Sequence, residues 1–97
     1  MAHYVAIVED AGPDKAIGVW FPDLPGCFSA GDTMDEALAN APEAVQLYAE
    51  ALERNGRHLP RARPLAELKG DPLFAEEVLG NLVAVVQLPA PAASAAE

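Results

Sequence analysis

Apolar and polar positions alternate over "HYVAIVE" (residues 3–9), with Tyr4, Ala6 and Val8 facing one way and Val5 and Ile7 the other. A period of two in a β-branched segment predicts a strand. "DAGPDK" (10–15) is turn chemistry, because Gly12 tolerates positive φ and Pro13 fixes its own. The alternation returns in "AIGVWF" (16–21), with Ile17, Val19 and Phe21 on one face and Trp20 on the other. The short gap makes the two strands a hairpin. "PDLPG" interrupts the chain again, and "CFSA" (27–30) reads as a third, short strand of an antiparallel meander.

The period then changes from two to 3.6. Thr33 is followed three residues later by Glu36, a capping-box pattern. Asp32, Asp35 and Glu36 put negative charge at the positive end of a helix dipole. Met34, Leu38, Ala41, Val45, Tyr48 and Leu52 form one apolar stripe, flanked by Ala37, Ala44 and Ala51. Arg54 and Gly56 supply the stop signal. The predicted helix, 34–55, is roughly 33 Å long at about 1.5 Å per residue. Pro42 opposes it, since an interior proline costs about 3 kcal/mol. A helix starting at Asn40, with Glu43 as a second capping-box partner, is the alternative. The stripe passes Pro42 without changing phase, which favours one kinked helix.

Downstream, 57–70 reads as a loop with two prolines, and 71–80 as a short helix with Asp71 as N-cap and Pro72 at the first helical position. "NLVAVVQLP" (81–89) reads as a buried strand and 90–97 as a disordered Ala/Pro tail. The expected fold is α+β, a two-layer β-β-β-α-(α)-β sandwich. Its antiparallel meander carries the long helix on one face, and the final strand rejoins the sheet. Residues 1–89 form the domain.

Charge narrows the function. Fifteen acidic and six basic residues give a net charge of −9. That field repels nucleic acid and anionic membranes and attracts basic partners. The single cysteine, Cys27, cannot form an internal disulfide, which suits a cytoplasmic protein. The start "MAHYVAIVED" has no basic segment of a signal peptide, and no apolar run approaches the roughly 18 residues of a membrane span.

Catalysis finds little support. Glu9, Asp10, Asp23 and Asp32 are the candidates for a Mg²⁺-dependent hydrolase, but the strand interiors carry no acids to converge on a metal. Cys27 as a nucleophile needs a base, and neither His3 nor His58 has a motif relation to it; a small buried hydrophobe explains it better. No enzyme activity, cofactor or metal is therefore expected. Arg54, Arg57, Arg61 and Arg63 lack the interleaved aromatics of a nucleic-acid surface and read as a balance to the acidic body. Trp20 has two readings: an exposed aromatic on an open sheet face, which would mark an interface, or a core residue.

The stretch "FPDLPGCFSAGDTMDEALANAPEAVQLYAEALERNGRHLPRARP" is similar to the HicB antitoxin family. The likeness rests on Pro22, Asp23, Leu24, Pro25, Gly26 and Cys27 at the corner, then Gly31, Asp32 and Thr33 at the helix start. It continues through Glu36, Ala37, Leu38, Asn40, Ala41, Glu43 and Ala44 to the closing Gly56 and Pro60. The resemblance implies a partial RNase H-like fold and the antitoxin half of a type II toxin–antitoxin pair. Its partner would be HicA, a small basic mRNA-cleaving ribonuclease whose catalytic His the antitoxin occludes. Many members add a C-terminal DNA-binding module. The residues after Leu88 are too few for one, so direct DNA binding is not expected. An autorepressor, or a HicB-like protein without a toxin partner, is the alternative.

On this reading Trp20, Asp23, Asp32 and Asp35 are the expected partner-binding residues. Pro22, Pro25, Gly26, Cys27, Gly31, Thr33 and Glu36 form the structural motif. The resemblance also implies a homodimer or homotetramer. Val83, Val85 and Gln87 on the last strand are its expected interface, since an uncharged apolar edge needs a partner.

Overall fold

The computed structural model describes residues 3–88; the expected tail at 90–97 lies outside the described residues. Four strands and three helices follow one another: β1 (His3–Asp10), β2 (Ile17–Trp20), β3 (Phe28–Gly31), α1 (Met34–Arg54), α2 (Leu65–Lys69), α3 (Ala75–Gly80) and β4 (Leu82–Gln87). They build one antiparallel sheet in the order β3-β2-β1-β4. The last strand rejoins the sheet, as expected, and does so beside the first.

β1 is the axis of the molecule. Tyr4, Val5, Ala6, Ile7 and Val8 are all at most 4% exposed, so both faces of this strand are buried. Burying a large apolar side chain contributes about 1.5–3 kcal/mol. Tyr4, Ala6 and Val8 join Ile17, Val19 and Val86 under α1, which supplies Ala37, Ala41 and Val45. Val5 and Ile7 face the other way, into a smaller cluster with Leu68 of α2 and Val78 of α3.

The helix signals act as read. Thr33 adopts an extended conformation and its Oγ1 accepts from the Glu36 amide at 3.1 Å. The Glu36 carboxylate reaches back to the Asp32 amide at 3.1 Å, one residue earlier than in a standard capping box. At the other end the Arg57 amide donates to the Leu52 carbonyl and the Gly56 amide to Glu53, with Gly56 at φ +71°. This is a Schellman stop, which favours glycine at the left-handed position. α1 runs unbroken through Pro42. Ala37 and Ala41 before it, and Val45 and Leu52 after it, are buried on the same stripe, and that packing outweighs the lost backbone bond.

Two elements differ from expectation. The 57–70 segment contains a helix, α2, and α3 starts at Ala75, later than the expected Asp71. Asp71 instead nucleates a turn: its carboxylate accepts from the Leu73 amide and its carbonyl from Phe74 and Ala75. The apolar residues driving this arrangement, Leu65, Leu68, Phe74 and Val78, close over the second sheet face. A small second helical layer thus lies opposite α1.

Candidate partner-binding surface

The corner "PDLPGC" is two successive turns. The Leu24 amide donates to the Phe21 carbonyl, and the Cys27 amide to Leu24. Pro25 and Gly26, at φ +84°, occupy the positions that a type II turn reserves for proline and glycine. Tyr48 of α1 donates its hydroxyl to the Pro25 carbonyl at 2.8 Å, tying the corner to the helix. The Cys27 thiol donates to the Ala44 carbonyl at 3.6 Å, and burial pushes its pKa up. Both effects hold it as an inert thiol. Gly31 stands where a Cβ would meet the Ala37 amide nitrogen at 2.5 Å, so only glycine lets α1 approach β3 this closely.

Asp23 is turned inward, with a side chain 7% exposed. Arg63 grips it through the side-chain Nε at 2.6 Å and the backbone amide at 2.8 Å. The same guanidinium bonds Asp71 at 2.9 Å and lies 5.7 Å from the centre of the Phe74 ring, within cation–π range. The bond from Arg63, followed by that from the Leu73 amide, holds the Asp71 carboxyl below its ordinary pKa. Its bonds to Asp71 and then Asp23 push the Arg63 guanidinium further up. Asp23 also adds to the upward shift that burial imposes on Tyr4, whose hydroxyl donates to the Pro60 carbonyl.

Trp20 is half-buried, 6.3 Å from Phe74 between ring centres, and its indole N–H donates to Glu9 at 2.6 Å. The face it occupies is therefore the α2–α3 face, partly covered rather than open. Asp32 and Asp35 are exposed at the start of α1. The four acids considered for hydrolysis are not brought together: Glu9 binds Trp20, Asp10 accepts from the Gly12 amide, Asp23 binds Arg63, and Asp32 starts α1. Among the described residues no three His, Cys, Asp or Glu side chains form a group able to hold a metal ion. No described helix is long and apolar enough to cross a membrane.

Charge is unevenly spread along the chain. Residues 16–53 contain seven Asp or Glu and no Lys, Arg or His, while five of the six basic residues lie between 54 and 69. Of those five, Arg63 is paired as above and Arg61 bonds Glu67 at 2.8 Å. An apolar groove opens within the acidic stretch 16–53, lined by Gly26, Cys27, Phe28, Ala44, Leu47 and Tyr48. On the expected oligomer strand, Val85 and Gln87 are exposed and Val83 is half-buried. A second groove beside that strand is lined by residues including Val85, His3 and Arg63.

Sequence reasoning missed the Arg63 hub and the Phe28–Leu47 groove. Arg63 looked like one of a cluster of surface cations, and its partner lies 40 residues away. Only the neighbouring prolines hinted that the segment was held in place. From sequence Phe28 reads as an ordinary strand residue, and Leu47 lies off the helix stripe, which is the available signal that it faces solvent.

Residues 4–92 match the model of a family described as the HicB-like antitoxin of bacterial toxin–antitoxin systems. An uncharacterized 14.9 kDa protein of the rep–hol intergenic region of Haemophilus phage HP1 is 38% identical over 76 residues, 78% of this chain and 56% of that protein. The chain thus spans little more than half of that relative. The N-terminal domain of the Burkholderia pseudomallei antitoxin HicB superposes with a TM-score of 0.67 at 28% identity, covering 91% of this chain and 99% of that one. A chain of the HicA3–HicB3 toxin–antitoxin complex gives 0.70 at 29% identity, with the same coverages of 91% and 99%.

Proposed function

The chain belongs to the HicB-like antitoxin family of bacterial toxin–antitoxin systems, and from that premise we propose that it neutralises a HicA-type mRNA-cleaving ribonuclease by binding it and covering its active site. The observation that carries the reading is the likeness, over 91% of this chain, to a chain of a HicA3–HicB3 complex. The net charge of −9 supports it, since a small basic protein is the partner such a field attracts. The chain acts by occupancy and not by catalysis, in the cytoplasm, without a cofactor. It self-associates through β4, whose outer edge carries no charged side chain: two-fold pairing there satisfies both copies at once.

Co-expression tests the reading. The small basic protein encoded beside this chain should arrest growth when induced alone and should lose that effect when this chain is produced with it. The purified pair should co-elute, and mRNA cleavage should stop at a one-to-one ratio. Persistent cleavage with excess antitoxin would overturn the proposal.

A further inference from the structure

We infer that the groove between α1 and β3 is the docking site for the basic partner, taking an apolar side chain that stands within a positively charged surface. The inference rests on the antitoxin reading and locates its contact.

Phe28 is 72% exposed and Leu47 is 59% exposed, and both line the same groove. Large apolar side chains that share a concave surface mark an interaction site far better than scattered ones. The floor is held in advance. Tyr48 is fixed on Pro25 and Cys27 on Ala44, so docking requires little ordering of the groove itself. Glu43 and Glu50 are exposed one turn to either side of Leu47, giving an apolar centre with a polar rim. Arg54, in the last turn, is the only basic residue of α1.

Position in the fold separates this groove from the other exposed apolar positions. The groove beside β4 is lined in part by His3 and Arg63. Leu73 and Leu79, also exposed, belong to the α2–α3 layer, away from α1. Among the described residues, the α1–β3 groove is where exposed Phe and Leu meet a long helix flank that is acidic from Asp35 to Glu53. Charge selects the occupant. A second copy of this chain would bring Glu43 and Glu50 against their own kind, and like charges across an interface are unfavourable.

The test measures affinity for the purified small basic protein encoded beside this chain, at low and high salt. Phe28→Ser and Leu47→Lys should each weaken binding by roughly thirtyfold, as expected for central contacts. The double variant E43K/E50K should slow association and flatten its salt dependence. Melting curves and circular dichroism should match wild type, since all four side chains are exposed. Val85→Lys should bind like wild type. If Phe28→Ser and Leu47→Lys keep wild-type affinity while Val85→Lys loses it, the partner docks on β4; the inference is then wrong and the antitoxin reading stands. If Leu47→Lys shifts wild-type oligomers to smaller species in sedimentation without loss of affinity, the groove is a self-interface, which also overturns the inference. Failure of the wild-type chain to bind the basic protein at all sinks the antitoxin reading together with the inference.

Discussion

The sheet has two edges, and they are finished differently. At β3 the long helix seals the edge. Asn40 donates its side-chain amide to the Ala30 carbonyl at 3.0 Å, the buried Ser29 hydroxyl donates to the Ala37 carbonyl at 2.8 Å, and Gly31 lets the helix backbone sit against the strand. At β4 no described strand lies beyond, and Leu82, Val85 and Gln87 are exposed. One edge of the sheet is thus tied to the long helix by side-chain bonds, and the other carries exposed side chains. The difference bears on the two contacts proposed above, strand addition at β4 and side-chain docking at α1 and β3.

The largest effect should come from forcing the sealed edge apart. Gly31→Ala places a methyl group 2.5 Å from the Ala37 nitrogen and 2.9 Å from Glu36, and backbone must move. It should cost about 1–3 kcal/mol in urea denaturation. Gly18→Ala is the control within the same sheet, because nothing lies within 4 Å of the added carbon. Equal losses for the two variants would mean that close approach of α1 is not what shapes the β3 edge.

Asn40→Ala should be milder, about 1 kcal/mol, as it removes one hydrogen bond at a partly wet site. Hydrogen exchange should then quicken in β3 and leave β4 unchanged. Faster exchange at β4 would blur the contrast between the edges.

Acid should loosen the turn between α2 and α3. The folded-state pKa of Asp71 lies below its ordinary value of 3.8, so between the two values the unfolded chain binds more protons. The stabilisation is present above about pH 3.8 and is lost as pH falls through the lowered value. Stability of the wild type should therefore drop more steeply there than that of Asp71→Asn. Parallel curves would remove Asp71 from the account.

The smallest effect on stability belongs to Val85→Lys. The side chain is 62% exposed, so unfolding should change by no more than about 0.5 kcal/mol. Sedimentation at tens of micromolar should nevertheless convert dimer to monomer. A wild-type monomer would leave β4 as a free edge without a partner.

Much of this contrast was legible in the sequence, because local signals set it. The capping pair Thr33 and Glu36, the stripe from Met34 to Leu52 and Gly56 fixed α1, and period-two alternation fixed β1 and β2. The apolar, uncharged run at 81–89 announced β4. What escaped were arrangements made by residues far apart. Alternation showed that β1 has two apolar faces but not that α2 and α3 would cover the second, which is why Trp20 kept two readings. Asp23 reads from sequence as a partner-binding acid because its cation lies 40 positions away. Asp32 and Asp35 stand exposed, but nothing in their spacing indicated that the groove lies further along the helix, at Leu47.

The sheet order also sets a schedule. β1 is flanked by β2 and β4, so His3 pairs with Gln87 and the earliest strand waits for the latest. During synthesis, at about 5–20 residues per second, the ribosome needs a few seconds to pass from the end of α1 to the end of β4. Throughout that interval Ile7 and Val8 have a strand partner on one side only, and Tyr4, Val5 and Ala6 still await theirs. A nascent chain is therefore incomplete until its final strand arrives, and a protease that clips β4 from the finished protein returns it to the same half-assembled condition.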